Sequence, residues 1–216
     1  MKIEYLGHSC FLLTSDGGTS VLTDPYGYIG YSLPRVTATA VTVSHGHYDH
    51  NNVADVSGFP QVLDKAEAYA VKDVSVRGIF SFHDEKAGAL RGGNIIFKYK
   101  IDGINVCHLG DLGEPCTAEL IQKILPVDVL FIPVGGRYTI DGKQAIEYVK
   151  SINPAVVIPM HYHTKGLRVD VAGAEAFLSG FTPNQIEYAG SCVTIDRETV
   201  NRNSTKVIKM ERSEER

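Results

Sequence analysis

The chain has 216 residues, 44% of them hydrophobic and 21% charged, with a formal net charge of -4 at pH 7. These values are those of one soluble globular domain with a sizeable core, and the mildly acidic balance lacks the basic excess that marks a nucleic-acid partner. Four scattered cysteines, Cys10, Cys107, Cys116 and Cys192, form no C-x-x-C pair and are read as reduced thiols rather than a secretory disulfide framework. No apolar run approaches the roughly 20 residues that cross a bilayer, so no membrane partner is expected. The patch Cys10–Leu13 is too short for a signal-peptide core. The expectation is a cytoplasmic protein, a single domain over residues 1–216 with a frayed charged tail at Glu211–Arg216.

In chain order, Lys2–Leu6 and Cys10–Thr14 read as strands. Asp16-Gly17-Gly18 turns the chain into a return strand at Thr19–Thr23, which ends at Asp24-Pro25. Tyr26–Pro34 is a loop rich in Gly, Tyr and Pro, either a surface loop packed by its own aromatics or a wall of a substrate pocket. Thr39–Val43 is a β-branched run suited to a central strand. Phe59–Leu63 and Val74–Phe80 follow as short strands, with a helical turn expected at Ala66–Val71 between them. Asp102-Gly103 closes a hairpin between Asn94–Ile101 and Ile104–Leu109.

Helical periodicity comes later. Leu120, Ile121, Ile124 and Leu125 form an apolar stripe after a start at Pro115–Thr117, and Pro126 ends it. Asp128–Ile132 is a strand, Asp141–Ile152 a helix stopped by Asn153-Pro154, and Ala155–Ile158 a buried strand. Asp170 is placed to cap a helix running through Leu178, and Ser191–Ile195 and Lys206–Met210 alternate as strands. Strands first and helices interleaved afterwards give a mixed α/β (α+β) arrangement of two sheets covered by helices.

Directly after Ala40-Val41-Thr42-Val43 comes Ser44-His45-Gly46-His47-Tyr48-Asp49-His50, three histidines and a carboxylate within six residues. Imidazole nitrogens and a hard carboxylate oxygen suit zinc and related divalent metals. On an extended segment alternate residues face the same way, so His45 and His47 can meet one metal, and after the turn Asp49 and His50 can meet a second. The spacing does not fit a helical His-Glu-x-x-His site, and Gly46 would weaken a helix. Two metals need ligands from elsewhere. His83, Asp111 and His161 each follow a predicted strand, where sheet proteins place their sites.

The order Thr23-Asp24-Pro25, His-x-His-x-Asp-His, His83, Gly110-Asp111, His161 resembles the metallo-β-lactamase-fold hydrolase superfamily, over Met1 to about Tyr162. Leu6-Gly7-His8-Ser9-Cys10-Phe11, Cys107-His108 ahead of Gly-Asp, and Ile158–Tyr162 look like a metal-dependent hydrolase branch related to bacterial L-ascorbate-6-phosphate lactonases. The resemblance implies a four-layer αββα sandwich and two divalent metal ions, zinc, with manganese or iron also suited to the ligands. It places His45, His47 and His83 on one metal and Asp49, His50 and His161 on the other, with Asp111 bridging. Asp24 would orient the histidine loop by hydrogen bonds, and His108 would be a buried histidine nearby. His8 is read as strand-end structure rather than as a catalyst.

Asp111 stands where the common zinc β-lactamases carry cysteine, which argues against penicillin hydrolysis. No added domain or arm of the glyoxalase II or ribonuclease Z kind is visible, and the loop lacks the glutamate of flavodiiron proteins. The expected chemistry is attack by a metal-bridging hydroxide on a small anionic ester, lactone or phosphoester, with Asp49 guiding the nucleophile. Arg91-Gly92-Gly93-Asn94 and Gly135-Gly136-Arg137-Tyr138-Thr139 are the polar loops available to a small-molecule substrate. Arg137 and Lys165 are the residues expected to grip its anion, and His163 is expected at the rim. The alternatives are a non-catalytic metal-binding or partner-binding protein of the same fold, or a phosphodiesterase acting on nucleotides.

Overall fold

The computed structural model describes residues 1–200 and 204–212, so the end of the expected frayed tail, 213–216, lies outside the described residues. The chain opens with a meander of β1 (Lys2–Gly7), β2 (Cys10–Thr14) and β3 (Ser20–Thr23). Then come β4 (Val36–Thr37), β5 (Ala40–Thr42), β6 (Val56–Ser57), β7 (Gln61–Leu63), β8 (Ala68–Val71) and β9 (Val74–Phe82). The second half runs β10 (Gly93–Ile101), β11 (Ile104–His108), α1 (Ala118–Ile124), β12 (Val129–Pro133), α2 (Gly142–Ile152) and β13 (Val156–Met160). It finishes with α3 (Glu175–Leu178), β14 (Ile186–Ala189), β15 (Cys192–Thr194) and β16 (Lys206–Met210).

One sheet has the order β15-β1-β2-β3-β5-β7 and the other β14-β16-β13-β12-β11-β10-β9-β8, with β4 and β6 paired separately. The inward faces meet in one core: Tyr5, Phe11 and Leu13 from the first sheet pack with Phe97, Tyr99 and Phe131 from the second. Each aromatic side chain buried at this seam removes about 150–250 Å2 from water and adds to the adhesion that the surrounding aliphatic residues supply. Outside the second sheet, Leu130, Ile132 and Val157 pack against Ile124 of α1, Tyr148 and Val149 of α2 and Phe177 of α3. Of these, α1 and α2 are the helices that the apolar stripes imply.

The fold is the expected sandwich, with one layer built differently. Outside the first sheet, Leu22, Val41 and Val43 are covered by Tyr26, Ile29, Val36 and Leu167, which belong to irregular chain and the short β4. The Gly, Pro and Tyr content of 26–34 forbids a helix there, and Tyr26 fixes the segment by donating its hydroxyl to the Leu6 carbonyl at 2.6 Å.

Local chemistry explains most element ends. Asp102 and Gly103 both take positive φ (52° and 75°), the geometry a two-residue β10–β11 hairpin needs. Thr117 caps α1, and Asp141 with Gln144 forms a capping box on α2, whose far end closes on Asn153 at φ 50°. Ala66–Val71, expected as a helical turn, instead yields β8, paired antiparallel with β9 across the two-residue turn Lys72-Asp73. That turn places Lys72 at φ 51° with no glycine to announce it. Asp170 does not cap a helix. The backbone of Ala172 pairs with Gly135 and His163, which holds the segment extended, and α3 starts only after Ala174. The edge strand β14, beside β16, was not expected at all. No helix among the described residues is long and apolar enough to cross a membrane.

Candidate metal centre

The strands β1, β3 and β5 run parallel in the first sheet, as do β9, β11 and β13 in the second. The residues just past their ends therefore converge on one edge of the sandwich. His8 follows β1, Asp24 follows β3, His45–His50 follow β5, His83 follows β9, Asp111 lies after β11, and His161 follows β13.

Asp24 organises the histidine loop. Its carboxylate is fully buried and accepts from the Ser44 amide (2.8 Å), the Ser44 hydroxyl (2.6 Å) and His50 Nδ1 (2.9 Å). The Ser44 hydroxyl, committed to Asp24, accepts in turn from His45 Nδ1 at 2.9 Å. Both imidazoles thus hold a proton on Nδ1, so that Nε2 is the nitrogen each can offer a metal, bare in neutral His45 and freed in His50 once a cation displaces its second proton. Burial and the His50 imidazole hold the His45 pKa down to about 3, so it stays neutral.

Two donor groups result. Nε2 of His45 and Nδ1 of His47 lie 3.0 Å apart, and these two with His83 form the more open group. Asp49, His50 and His161, joined by His8, form the second, in which every residue is buried. Asp111 lies between them: its Oδ2 is 3.9 Å from His45 Nε2, 3.4 Å from His83 Nε2 and 3.1 Å from His161 Nε2, and its Oδ1 is 3.3 Å from His50 Nε2. Burial would raise the Asp111 pKa, but the His161 and His50 imidazoles outweigh it and hold the carboxyl well below its ordinary value. Burial opposes protonation of His50 too, yet Asp111 and Asp24 outweigh it and raise its pKa.

These donors fit divalent metals. Ligand bonds of about 2.0–2.2 Å at tetrahedral angles leave donor atoms roughly 3.3 Å apart, the spacing found here. His50 Nε2 and Asp111 Oδ1 are buried without a hydrogen-bond partner, a costly arrangement that a cation would relieve.

Backbone supports fix the distant ligands. Gly110 turns the chain at φ 57°, where a Cβ would stand 2.4 Å from Asn94 Oδ1 and 2.6 Å from Ser44 Cβ. Asn94, fully buried, accepts the Asp111 amide at 2.9 Å and donates to Ser81 Oγ and the Leu109 carbonyl. Sequence reasoning missed this role, and the one signal was a lone amide opening the apolar run Asn94–Phe97. Next to His83, the Asp84 carboxylate gathers the amides of Lys86, Gly88, Leu90 and Arg91 and shapes the following loop. His108 donates Nε2–H to the Ser9 carbonyl at 2.9 Å and accepts the Gly110 amide on Nδ1, tying the two sheets together behind the ligands.

The donors open into a cavity of about 480 Å3 lined by His47, Asp49, His83, Asp111 and His161 together with Tyr48, Arg91, Tyr138 and Arg168. The residues expected to grip an anion are placed otherwise. Arg137 sits beside this cavity with its guanidinium paired to Asp170. Lys165 and His163 line a separate cavity of about 650 Å3, with Tyr31 and Lys209. Spacing along the sequence could not reveal this, because the chain leaves the site cavity after His161, lines the larger cavity with Tyr162–Gly166, and returns to the site cavity at Arg168–Asp170. Arg91 and Arg168 reach the ligand cavity instead. Arg91 donates to the Arg137 carbonyl at 3.1 Å and lies 5.8 Å from the Tyr138 ring, and Arg168 lies 5.5 Å from the Tyr28 ring. Of the two readings of the Tyr26–Pro34 loop, the packed one is seen: Tyr26 is buried and no residue of 26–34 lines the site cavity, while exposed Tyr28 lies against Arg168.

Residues 2–161 match the Beta-lactamase superfamily domain. A UPF0173 metal-dependent hydrolase of Methanospirillum hungatei is 33% identical over 80% of this chain and 88% of its own length. One from Methanoregula boonei is 33% identical over 76% and 83%. Among solved structures, a Thermotoga maritima protein assigned to the metallo-β-lactamase superfamily as a Zn-dependent hydrolase superposes with a TM-score of 0.79 at 37% identity, covering 97% of this chain and 99% of that one. With its histidine loop, its strand-end donor residues and these likenesses together, the chain belongs to the metallo-β-lactamase superfamily and, within it, to the UPF0173 family of metal-dependent hydrolases.

Proposed function

We propose that the protein hydrolyses a small anionic ester, lactone or phosphoester at a centre holding two divalent metals, zinc in the first instance. The observation that carries this reading is Asp111, whose Oδ2 lies within 3.9 Å of donors from both groups, His45 and His83 of one and His161 of the other, while Oδ1 lies 3.3 Å from His50 and the carboxyl is held ionised. His45, His47 and His83 would hold one ion and Asp49, His50 and His161 the other. When bound, such ions supply an activated water and polarise the electrophile.

The chain's own residues do the rest. Asp24 holds the histidine loop in register and keeps a proton on His50 Nδ1, which leaves Nε2 to face a metal. Asp49 sits at the cavity wall with its pKa lowered: burial opposes this, and the His8 hydrogen bond and the nearby His50 outweigh it. It is available as an ionised acceptor toward the reacting centre. Arg91 and Arg168, free of any carboxylate partner among the described residues, face the same cavity and suit a phosphate or carboxylate on the substrate. A cavity of about 480 Å3 fits a small molecule.

The test is metal content together with turnover of a chromogenic phosphodiester, a p-nitrophenyl ester and a lactone. Metal-dependent turnover of at least one, abolished in Asp111→Asn, is expected. A metal-loaded chain inert toward the whole panel would favour the non-catalytic reading instead.

A further inference from the structure

His8 is the one histidine of the cluster to which no role falls in a seven-ligand centre, and its surroundings are unusual. It is fully buried and follows the irregularity in the β1–β2 register between Tyr5 and Gly7. Its φ of 55° is a left-handed conformation that costs a non-glycine residue on the order of 1 kcal/mol and persists where the surroundings enforce it. A bulge of this kind re-aims a side chain. The preceding turn is pinned, since a Cβ on Gly7 would meet Arg212 Cδ at 2.7 Å and Tyr31 at 3.0 Å.

The strained residue touches two of the buried ligands in two different ways. Its main-chain carbonyl accepts the amide of His161 at 3.2 Å, and its Nε2 lies 3.2 Å from Asp49 Oδ2. Its ring stands 4.2 Å from that of His161. His8 differs from the other two histidines of the buried group in one respect. His50 and His161 bring Nε2 to 3.3 and 3.1 Å from Asp111, whereas among the described residues His8 makes no such approach. It stands behind Asp49 rather than at the seam between the donor groups.

We propose that His8 is a positioning residue for the buried metal: its Nε2–H donates to Asp49 and holds that carboxylate in its ligating orientation, while its carbonyl sets the backbone of His161. Without the donor, Asp49 would be free to rotate away from its ion, and only the buried half of the centre would weaken. The inference rests on the two-metal reading.

The experiment is calorimetric titration of Zn2+ into the metal-free full chain. Wild type is compared with His8→Phe, which keeps a ring without a donor, and with His8→Gln, which keeps an N–H donor without the ring. Wild type should bind two ions. In His8→Phe one binding event should be unchanged and the other weaker by about 10–100-fold, the usual effect of losing a hydrogen-bond partner of a ligand. His8→Gln should recover most of that loss, which a packing role would not allow. Equal weakening of both events, or no change in either, would overturn the proposal. So would a Co2+ absorption spectrum in which His8→Gln has lost a nitrogen ligand, since His8 would then bind the ion itself. If the phenylalanine variant fails to fold by circular dichroism, His8→Leu against His8→Gln makes the same comparison. A single ion on wild type would instead defeat the two-metal reading, a result separate from two ions bound equally well in all variants.

Discussion

The two donor groups are built on opposite principles. His45 and His47 come from one loop two residues apart and His47 is exposed, so this half, completed by buried His83 from the end of β9, draws on two segments and meets solvent. Asp49, His50 and His161, with His8, come from three separate segments, and all four are buried. The first half takes its orientation through a short chain of hydrogen bonds, Asp24 to Ser44 to His45. The second depends on the packing of β1 against β13 and on a strained residue. A local site tolerates change in the surrounding fold, and a buried one reports on it.

Replacing the residue shared by the halves should erase the difference between them. Asp111→Asn is expected to lower Zn2+ affinity at both halves by more than about 100-fold, beyond the range for hydrogen-bond partners, as measured by calorimetry. Retention of one tight ion would mean that the halves are independent. Asp24→Ala is next. Because Asp24 serves His45 through Ser44 and His50 directly, both events should weaken, each by about 10–100-fold. An effect on one event alone would show that only one of its two contacts matters.

Gly110→Ala probes the support beneath Asp111. A Cβ at 2.4 Å from Asn94 Oδ1 and a φ of 57° together should destabilise the metal-free fold by about 3 kcal/mol, combining overpacking with backbone strain. An unchanged urea midpoint would refute that account. At the rim, Arg91→Ala should raise KM for an anionic substrate by about 10-fold with little change in kcat, a charge-assisted hydrogen bond weakened by exposure. Arg137→Ala, whose guanidinium is spent on Asp170, should change it less than about threefold. The reverse order would restore Arg137 as the anion's partner. The smallest effect concerns thiols. Cys192 is exposed and Cys116 partly so, whereas burial pushes the Cys107 thiol up to about 12 and raises that of Cys10. A thiol reagent should therefore label Cys192 and Cys116 in the native protein, and Cys10 and Cys107 only after unfolding.

What the sequence made legible follows the same division. The histidine loop could be read because its ligands are neighbours in the chain, and Asp102-Gly103 because two positive φ angles demand that pair. The turn at Lys72-Asp73 uses the left-handed region without glycine, so β8 looked like a helical turn. His83, Asp111 and His161 could be placed as strand-end residues by pattern and resemblance. Which arginine reaches the cavity depends on the chain's departure and return between His161 and Asp170, which leave no periodic trace. Asp170 looked like a helix cap for the same reason, an acidic residue ahead of an apolar stretch whose real partner is Arg137. The placement of His8 against Asp49 escaped because it depends on a left-handed backbone conformation at His8, and backbone conformation at a single histidine is not written in residue type.

The irregular layer over the first sheet has a further consequence. A helix changes length by whole turns and a strand by pairs of residues if their buried faces are to be kept. Chain without a repeat can gain or lose one residue at a time. Tyr28, which carries Arg168, lies in that layer, while the ligands are moored to strand ends. The rim around Arg168 can therefore drift by single insertions while the donor cluster stays where it is.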